Sequence, residues 1–126
     1  RTGLAFTWNG RINIKNNKRL EMIDDLNPKE FQNYLSNNDT VLVDVREKWE
    51  LDLCKIEGAI HCPMSNIAES FSDLNPDDTI ALYCHHGLRS MQVANFLISK
   101  DFQSLVNLQG GIDAWSREVD PSVDRY

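Results

Sequence analysis

One segment organises the whole chain: Ile80-Ala81-Leu82-Tyr83-Cys84-His85-His86-Gly87-Leu88-Arg89-Ser90. Its first four residues are apolar and predict a short buried strand, and a helical pattern opens at Arg89-Ser90 and runs to about Lys100. Cys84 therefore falls between a strand end and a helix N-terminus. Unpaired backbone N–H groups and the helix dipole both favour negative charge there. The segment predicts a cysteine that acts as a thiolate nucleophile.

Segments with strand and helix patterns alternate on both sides of this loop. Strands are predicted at 19–23, 41–45, 59–62, 79–83 and 104–108, and helices open near 28, 46, 65, 89 and 112. This alternation predicts an α/β fold, with a five-stranded, mostly parallel sheet and helices on both faces. Ligands of such sheets lie beyond the carboxyl ends of the strands, where Cys84 is predicted to lie.

Residues 1–18 have a sequence pattern unlike that of the rest of the chain. They are predicted to form an N-terminal extension of the α/β domain at 19–126. Leu4, Phe6 and Trp8 alternate with smaller or polar residues, and Asn9-Gly10 suits a two-residue type I′ turn. The pattern indicates a β-hairpin. We expect it to fold over the surface of the domain, and the alternatives are the end of a preceding domain or a hairpin that docks a partner. Because the sequence begins at Arg1, a processed or excised chain is expected.

Composition narrows the classes of function. The 126 residues suit one compact domain, and a net charge of −6 without a Lys/Arg block argues against a nucleic-acid partner. The longest apolar runs are far too short to cross a membrane. The three cysteines are an odd count, which indicates a reducing, cytoplasmic location rather than a disulfide framework. Their spacing to the histidines lacks the paired pattern of a zinc site, so no metal is expected.

Four separated motifs resemble those of the single-domain rhodaneses, which are sulfurtransferases. They are Cys84-x-x-Gly87-x-Arg89-Ser90, Asp44-Val45-Arg46-Glu47 with Trp49-Glu50, Gly58-Ala59-Ile60-His61 with Pro63, and Leu108-Gln109-Gly110-Gly111 with Trp115. The resemblance covers about residues 20–120. The tail 119–126 is also similar to the endings of rhodanese domains fused to ubiquitin-activating-like adenylyltransferases. The resemblance implies a rhodanese-like fold and a thiosulfate sulfurtransferase activity.

The loop chemistry agrees with that reading. The Cys84 thiolate would attack the sulfane sulfur of a donor such as thiosulfate and form a persulfide, which a thiol, cyanide or protein acceptor would unload. Backbone N–H groups from His85 to Ser90 would form a nest around the sulfur, and Gly87 permits the tight curl. Arg89, with His85 and His86 when protonated, would attract a small anionic donor. Leu88 completes the loop, and no cofactor is needed.

Two rival functions use the same arrangement. Cysteine-dependent phosphatases carry a Cys-x5-Arg loop around a phosphate, whereas the spacing from Cys84 to Arg89 is Cys-x4-Arg. One residue fewer makes a smaller cradle, which favours sulfur over phosphate. The other rival is a rhodanese-like module that binds a partner protein or relays sulfur to it.

Four residues outside the loop are candidates for a supporting role. Asp44 and Arg46 are predicted to form an ion pair that fixes the loops, with orientation of the site as the alternative. Cys54 and Cys62 are expected to be core residues, with a resolving thiol or persulfide relay as the alternative.

Overall fold

The structure is a computed structural model and describes residues 23–126. The predicted hairpin and the boundary at residue 18 lie outside these residues. The regular elements in chain order are β1 (Ile23–Leu26), α1 (Pro28–Asn37), β2 (Val41–Asp44), α2 (Lys48–Leu53), β3 (Ile60–His61), α3 (Ile67–Ser70), β4 (Ile80–Tyr83), α4 (Leu88–Ile98), β5 (Leu105–Leu108) and α5 (Gly111–Glu118). Short 3₁₀ turns, Met64–Asn66 and Phe71–Asp73, flank α3.

The five strands form one sheet in the order β1-β5-β4-β2-β3, and every pair is parallel. Strand β4 lies at the centre, with Leu82 opposite Val43 of β2 and Asn107 of β5. All five carboxyl ends therefore meet at one edge, and Cys84 leaves the middle of that edge. The predicted α/β fold with a five-stranded parallel sheet is confirmed.

Alternate residues of β4 serve the cores on the two faces of the sheet. Ile80 and Leu82, together with Cys84, pack in the cluster that holds Val93 of α4. Ala81 and Tyr83 point the other way, into a cluster whose other members include Phe31, Val106, Leu108, Ile112 and Trp115. Because β4 is apolar at all four positions and buried on both faces, it forms the rigid base on which the cysteine loop is built.

Local signals explain where the elements begin. Asn27 caps α1, since its side chain accepts a hydrogen bond from Glu30 N–H and the Glu30 carboxylate accepts one from Asn27 N–H. The first strand extends past the predicted end at Ile23 to Leu26, and residues 19–22 of the prediction lie outside the described residues. It runs through Asp24 and Asp25, whose exposed acidic side chains lack a strand pattern. Pairing of β1 with β5 fixes it there.

None of the helices in the described part of the chain has the length and apolar character needed to cross a bilayer.

Candidate active site

Cys84 lies in a buried cradle at the carboxyl end of β4. The residue is 1% exposed, and its Sγ accepts hydrogen bonds from Gly87 N–H at 3.0 Å and from Ser90 Oγ–H at 3.3 Å. The Ser90 hydroxyl lies equally close to the Gly87 carbonyl oxygen. Of the nest predicted from His85 to Ser90, the Gly87 amide is the one backbone donor within bonding distance of Sγ in the described residues. The cradle thus offers two hydrogen bonds to one sulfur atom.

Two glycines give the loop its shape. Gly87 has φ of 104° and precedes α4, and a side chain there would press on the Leu108 carbonyl oxygen at 3.3 Å. Gly111 has φ of 66°, and a Cβ atom there would overlap the His85 carbonyl group. The backbone of the loop is further tied to α5, because Ile112 N–H donates to the Cys84 carbonyl. Close backbone contact at both glycines therefore holds the cradle in place.

Arg89 is engaged by a carboxylate rather than left free. Its Nη1 and Nη2 donate to the two oxygens of Glu50 at 2.7 and 2.8 Å, a bidentate pair. The Arg89 side chain is 32% exposed, whereas that of Glu50 is 3% exposed. The pair therefore lies at the edge of the loop, with its arginine towards water. The hydrogen bonds that Arg89 donates to Glu50 raise the pKa of Arg89, so the guanidinium is always charged.

Glu50 is saturated with donors. Besides Arg89, the Tyr126 hydroxyl donates to Oε1 at 2.7 Å and Glu47 N–H donates to Oε2 at 3.0 Å. Burial opposes ionisation of the carboxyl group, but the hydrogen bonds from Arg89 and Tyr126 outweigh it and lower the pKa of Glu50 to about 2. Glu50 thus carries a full negative charge at neutral pH, and it neutralises the charge of Arg89.

Asp44 and Arg46 form the predicted ion pair. Arg46 Nη2 donates to Asp44 Oδ2 at 2.7 Å, and both side chains are buried. Arg46 also donates to the Cys54 carbonyl at 2.7 Å, so it ties the end of β2 to the end of α2. Burial opposes the charge on Arg46, yet its hydrogen bonds with Asp44 and Tyr126 raise its pKa. This pair supports the loops and does not reach the Cys84 sulfur by hydrogen bonds.

Tyr126 joins the two ion pairs. Its hydroxyl accepts a hydrogen bond from Arg46 Nη1 at 2.9 Å and donates to Glu50. Its ring stacks on His85, with centroids 3.9 Å apart and planes inclined by 6°. The tail that carries it is fixed by the bond from Ser116 Oγ–H to the Val123 carbonyl. Burial and the hydrogen bond to Glu50 raise the pKa of Tyr126, so the phenol keeps its proton.

The two histidines of the loop differ in exposure. His85 is partly buried between His86 and Tyr126, while His86 is exposed. Burial and the neighbouring His86 lower the pKa of His85, which favours its neutral form at pH 7. Leu88, the remaining member of the loop, is 78% exposed.

A cation is a poor fit to the one group of possible metal ligands found in the described residues. Ligand atoms of His85, His86 and Asp113 lie within 4.8 Å of one another. However, both Asp113 oxygens already accept hydrogen bonds, one from Arg117 and one from Arg125. The two imidazole rings stack at 3.8 Å, so their in-plane lone pairs do not converge on one point.

Cys54 and Cys62 are both placed in the cores. Cys62 belongs to the same apolar cluster as Cys84, and burial raises the pKa of its thiol. Cys54 ends α2 and packs against the other cluster. The alternative of a resolving thiol stays a prediction.

Glu50 and Tyr126 are the two residues at the site that the sequence did not single out by role. Glu50 was visible only as part of the stretch Trp49-Glu50, and Tyr126 as the end of a tail with a familiar pattern. Nothing in the spacing indicates that a residue 39 positions before Arg89 is its partner. Both contacts depend on the assembled sheet.

Comparisons with known proteins agree with this geometry. The family described as the Rhodanese-like domain matches residues 27–118. A protein named Sulfurtransferase from Allochromatium vinosum is 31% identical over 103 residues, which cover 81% of this chain and 96% of that protein. A crystallised rhodanese-related protein from Thermoplasma volcanium superposes with a TM-score of 0.71 and 29% identity, covering 82% of this chain and 99% of its own.

Longer proteins match as well. A probable adenylyltransferase/sulfurtransferase from Mycobacterium tuberculosis is 36% identical over 104 residues, which cover 80% of this chain and 26% of that protein. The chain spans 36% or less of the length of the longer curated relatives that head the matches.

Proposed function

The chain belongs to the rhodanese-like domain family, and from that premise we propose that it transfers sulfane sulfur from a donor to a thiophilic acceptor through a persulfide on Cys84. The observation that carries the proposal is the cradle around this sulfur. Sγ accepts hydrogen bonds from Gly87 N–H and Ser90 Oγ–H at the carboxyl edge of the central strand. Relatives that are named sulfurtransferases support the general reaction.

The reaction proceeds in two halves. The Cys84 thiolate attacks the outer sulfur of the donor, the donor S–S bond breaks, and the leaving group departs with its electron pair. An acceptor such as a thiol, cyanide or a protein cysteine then attacks the outer sulfur of the persulfide and regenerates the Cys84 thiolate. The two donors at Sγ stabilise the negative sulfur in both halves. The reaction draws on no cofactor.

A short loop supports sulfur over phosphate chemistry. The bidentate pair with Glu50 holds both Nη atoms of Arg89, which a phosphatase would need for its phosphate. The single backbone donor within reach of Sγ suits one atom rather than a tetrahedral group. A phosphatase reading therefore has less support than sulfur transfer.

The proposal is tested by the mass of the intact protein. Incubation with thiosulfate or an organic persulfide should add about 32 Da, one sulfur atom, and Cys84→Ser should abolish this gain. Cys54→Ser is the control and should keep it, because Cys54 packs against the core on the opposite face of the sheet from Cys84. No gain with any sulfane donor would overturn the proposal.

A protein acceptor is the second candidate for the final half-reaction. Leu88 of the loop is 78% exposed and Trp49, beside Glu50, is 61% exposed, so apolar surface adjoins the site. The adenylyltransferase/sulfurtransferase name of one relative agrees with sulfur delivery to a partner. In this role the chain would serve as a sulfur relay, most simply in the reducing cytoplasm, where thiols persist.

A further inference from the structure

The charges around the cradle differ from those that a doubly charged donor requires. With thiosulfate, the thiolate and the dianion bring three negative charges together, and sulfite leaves as a dianion: Cys–S⁻ + S–SO₃²⁻ → Cys–S–S⁻ + SO₃²⁻. With an organic persulfide in its neutral form, one negative charge is present throughout, and an ionised persulfide adds one more, still fewer than with thiosulfate: Cys–S⁻ + R–S–SH → Cys–S–SH + R–S⁻. Both equations balance in sulfur and in charge. Only the first gathers several charges that call for a free cation.

Within residues 23–126, the two arginines of the site are each paired with a carboxylate. Arg89 is held by both oxygens of Glu50, and Arg46 is buried against Asp44. His85 lies between two rings, and its Nε2 atom is buried without a hydrogen-bond partner in the described residues. The chain as a whole carries −6, so its long-range field repels anions as well.

Burial makes this arrangement hard to undo. Glu50 is 2% exposed and accepts four hydrogen bonds, one each from Arg89 Nη1, Arg89 Nη2, Tyr126 and Glu47 N–H. A donor anion that recruits Arg89 must break two of these bonds and leave a buried carboxylate with fewer partners. Unpaired buried charge is expensive, so Arg89 stays with Glu50 when a donor arrives.

Each member of the pair follows an exposed apolar residue in the chain. Leu88 precedes Arg89 and is 78% exposed, and Trp49 precedes Glu50 and is 61% exposed. The rings of Trp49 and Tyr126 pack edge to face, with their centroids 6.1 Å apart, and this contact holds Trp49 beside the site. These groups offer contact to the carbon chain of an organic donor and none to an inorganic dianion.

We propose that Glu50 is a specificity-determining residue, which neutralises Arg89 and thereby selects singly charged or neutral organic persulfides over dianionic donors such as thiosulfate. This inference rests on the proposed function and names the class of donor for the same cysteine. Glu50 acts through Arg89 and does not touch the reacting sulfur.

The test measures the first half-reaction alone. The protein, reduced and freed of donor, is mixed with thiosulfate or with 2-hydroxyethyl persulfide, quenched at set times and weighed intact. The parent protein should be loaded at least about tenfold faster by the persulfide than by thiosulfate. Added salt should not slow loading by thiosulfate, because Arg89, the cation of the loop, is paired with Glu50.

Glu50→Gln is the informative variant. Glutamine keeps one oxygen that can accept from Arg89 and Tyr126, replaces the other with an amide that only donates, and removes the charge, so Arg89 becomes an unpaired cation. The ratio of the persulfide rate to the thiosulfate rate should fall at least about tenfold, and loading by thiosulfate should now slow with salt. Asp52→Asn removes an equal charge from the exposed face of the same helix and should leave the ratio within about twofold.

A second variant guards against a folding defect. Glu50→Gln with Arg89→Gln removes both charges and should restore a ratio within about threefold of the parent, because the cradle is neutral again. A parent that loads faster from thiosulfate overturns the selectivity while leaving sulfur transfer standing. An unchanged ratio in folded Glu50→Gln, or an equal change in Asp52→Asn, also overturns it. Failure of both donors to load Cys84 overturns the proposed function itself.

Discussion

Two arginine–carboxylate pairs flank the Cys84 loop, and they differ in their contact with water. Arg46 and Asp44 have side chains that are 0% and 1% exposed, whereas Arg89 is 32% exposed above a Glu50 that is 3% exposed. The first pair joins the ends of β2 and α2. The second joins α2 to the N-terminal turn of α4, at the opening of the cradle.

We expect this difference in exposure to distinguish an ion pair that only supports the fold from one that can also influence a substrate. A pair shut away from solvent binds nothing but its own chain, and its removal should affect folding first. A pair with one member exposed to water can interact with a substrate, and its removal should change the selectivity between substrates as well. Tyr126 couples the two, since its hydroxyl contacts Arg46 and Glu50 together.

The largest effect is expected from Arg46→Met. Methionine fills similar space, but Asp44 would then stay buried without its partner, and the Cys54 carbonyl and Tyr126 hydroxyl would lose a donor. The free energy of unfolding should fall by about 3–5 kcal/mol, measured by urea denaturation. Arg117→Met is the matched control, because Arg117 is 47% exposed and Arg125 still compensates Asp113. Equal losses in the two variants would contradict the ranking by burial.

The next effect concerns Glu50 and acid. Its pKa in the folded chain is about 2, below the ordinary 4.5, so its ionised form stabilises the fold above pH 4.5 and this contribution is lost as the pH falls towards 2. The contribution at neutral pH is on the order of 3 kcal/mol. Urea denaturation at pH 6, 4 and 3 should therefore give a stability difference between the parent and Glu50→Gln that shrinks with acid.

Asp52→Asn again provides the control for this titration. Asp52 has an exposed side chain, so the free energy of unfolding of Asp52→Asn should differ little from that of the parent at every pH. A Glu50→Gln difference that stays constant from pH 6 to pH 3 would show that the carboxylate is not held ionised by its partners.

The sequence predicted the fold well, because the fold depends on local patterns. The apolar run Ile80–Tyr83 predicted the central strand. The helix predicted to open near 28 begins at Pro28, and a capping box at Asn27 explains this start. The predicted end of the first strand at Ile23 was too early, because the exposed Asp24 and Asp25 lack a strand pattern although the strand continues to Leu26. Alternation and caps are visible within ten residues, whereas pairing with β5 is not.

The contacts of Cys84 could be predicted from the sequence, but the charge pairs around it could not. Cys84, Gly87 and Ser90 follow one another in the chain, so their contacts follow from the turn. The partner of Arg89 lies 39 residues away and that of Arg46 includes Tyr126, 80 residues away. Long-range pairing of charges depends on the topology of the sheet, so the sequence alone did not indicate that Arg89 is paired with Glu50.

A smaller effect is expected from Tyr126→Phe, which tests the coupling between the pairs. Phenylalanine keeps the stacking on His85 but removes the hydrogen bonds with Arg46 and Glu50. Both partners keep other bonds, so the loss should be about 2 kcal/mol by urea denaturation. Tyr34→Phe is the control, since the Tyr34 hydroxyl has no hydrogen-bond partner among the residues from 23 onwards, and it should change stability by less than about 0.5 kcal/mol.

The smallest effect is expected from a third ion pair, which is the most exposed of the three. Lys48 Nζ lies 2.9 Å from Asp52 Oδ1, as close as the buried pairs, but the two side chains are 79% and 63% exposed. Water screens this pair, and the lysine stands on the N-terminal side, which is the less favourable order on a helix. A double-mutant cycle with Lys48→Met and Asp52→Asn should give a coupling energy of about 0.3 kcal/mol that vanishes at high salt. Because the distances in all three pairs are alike, a coupling near that of Arg46 with Asp44 would mean that distance rather than burial sets the strength. A small, salt-sensitive value would leave burial as the variable that separates the structural arginine from the one at the cradle.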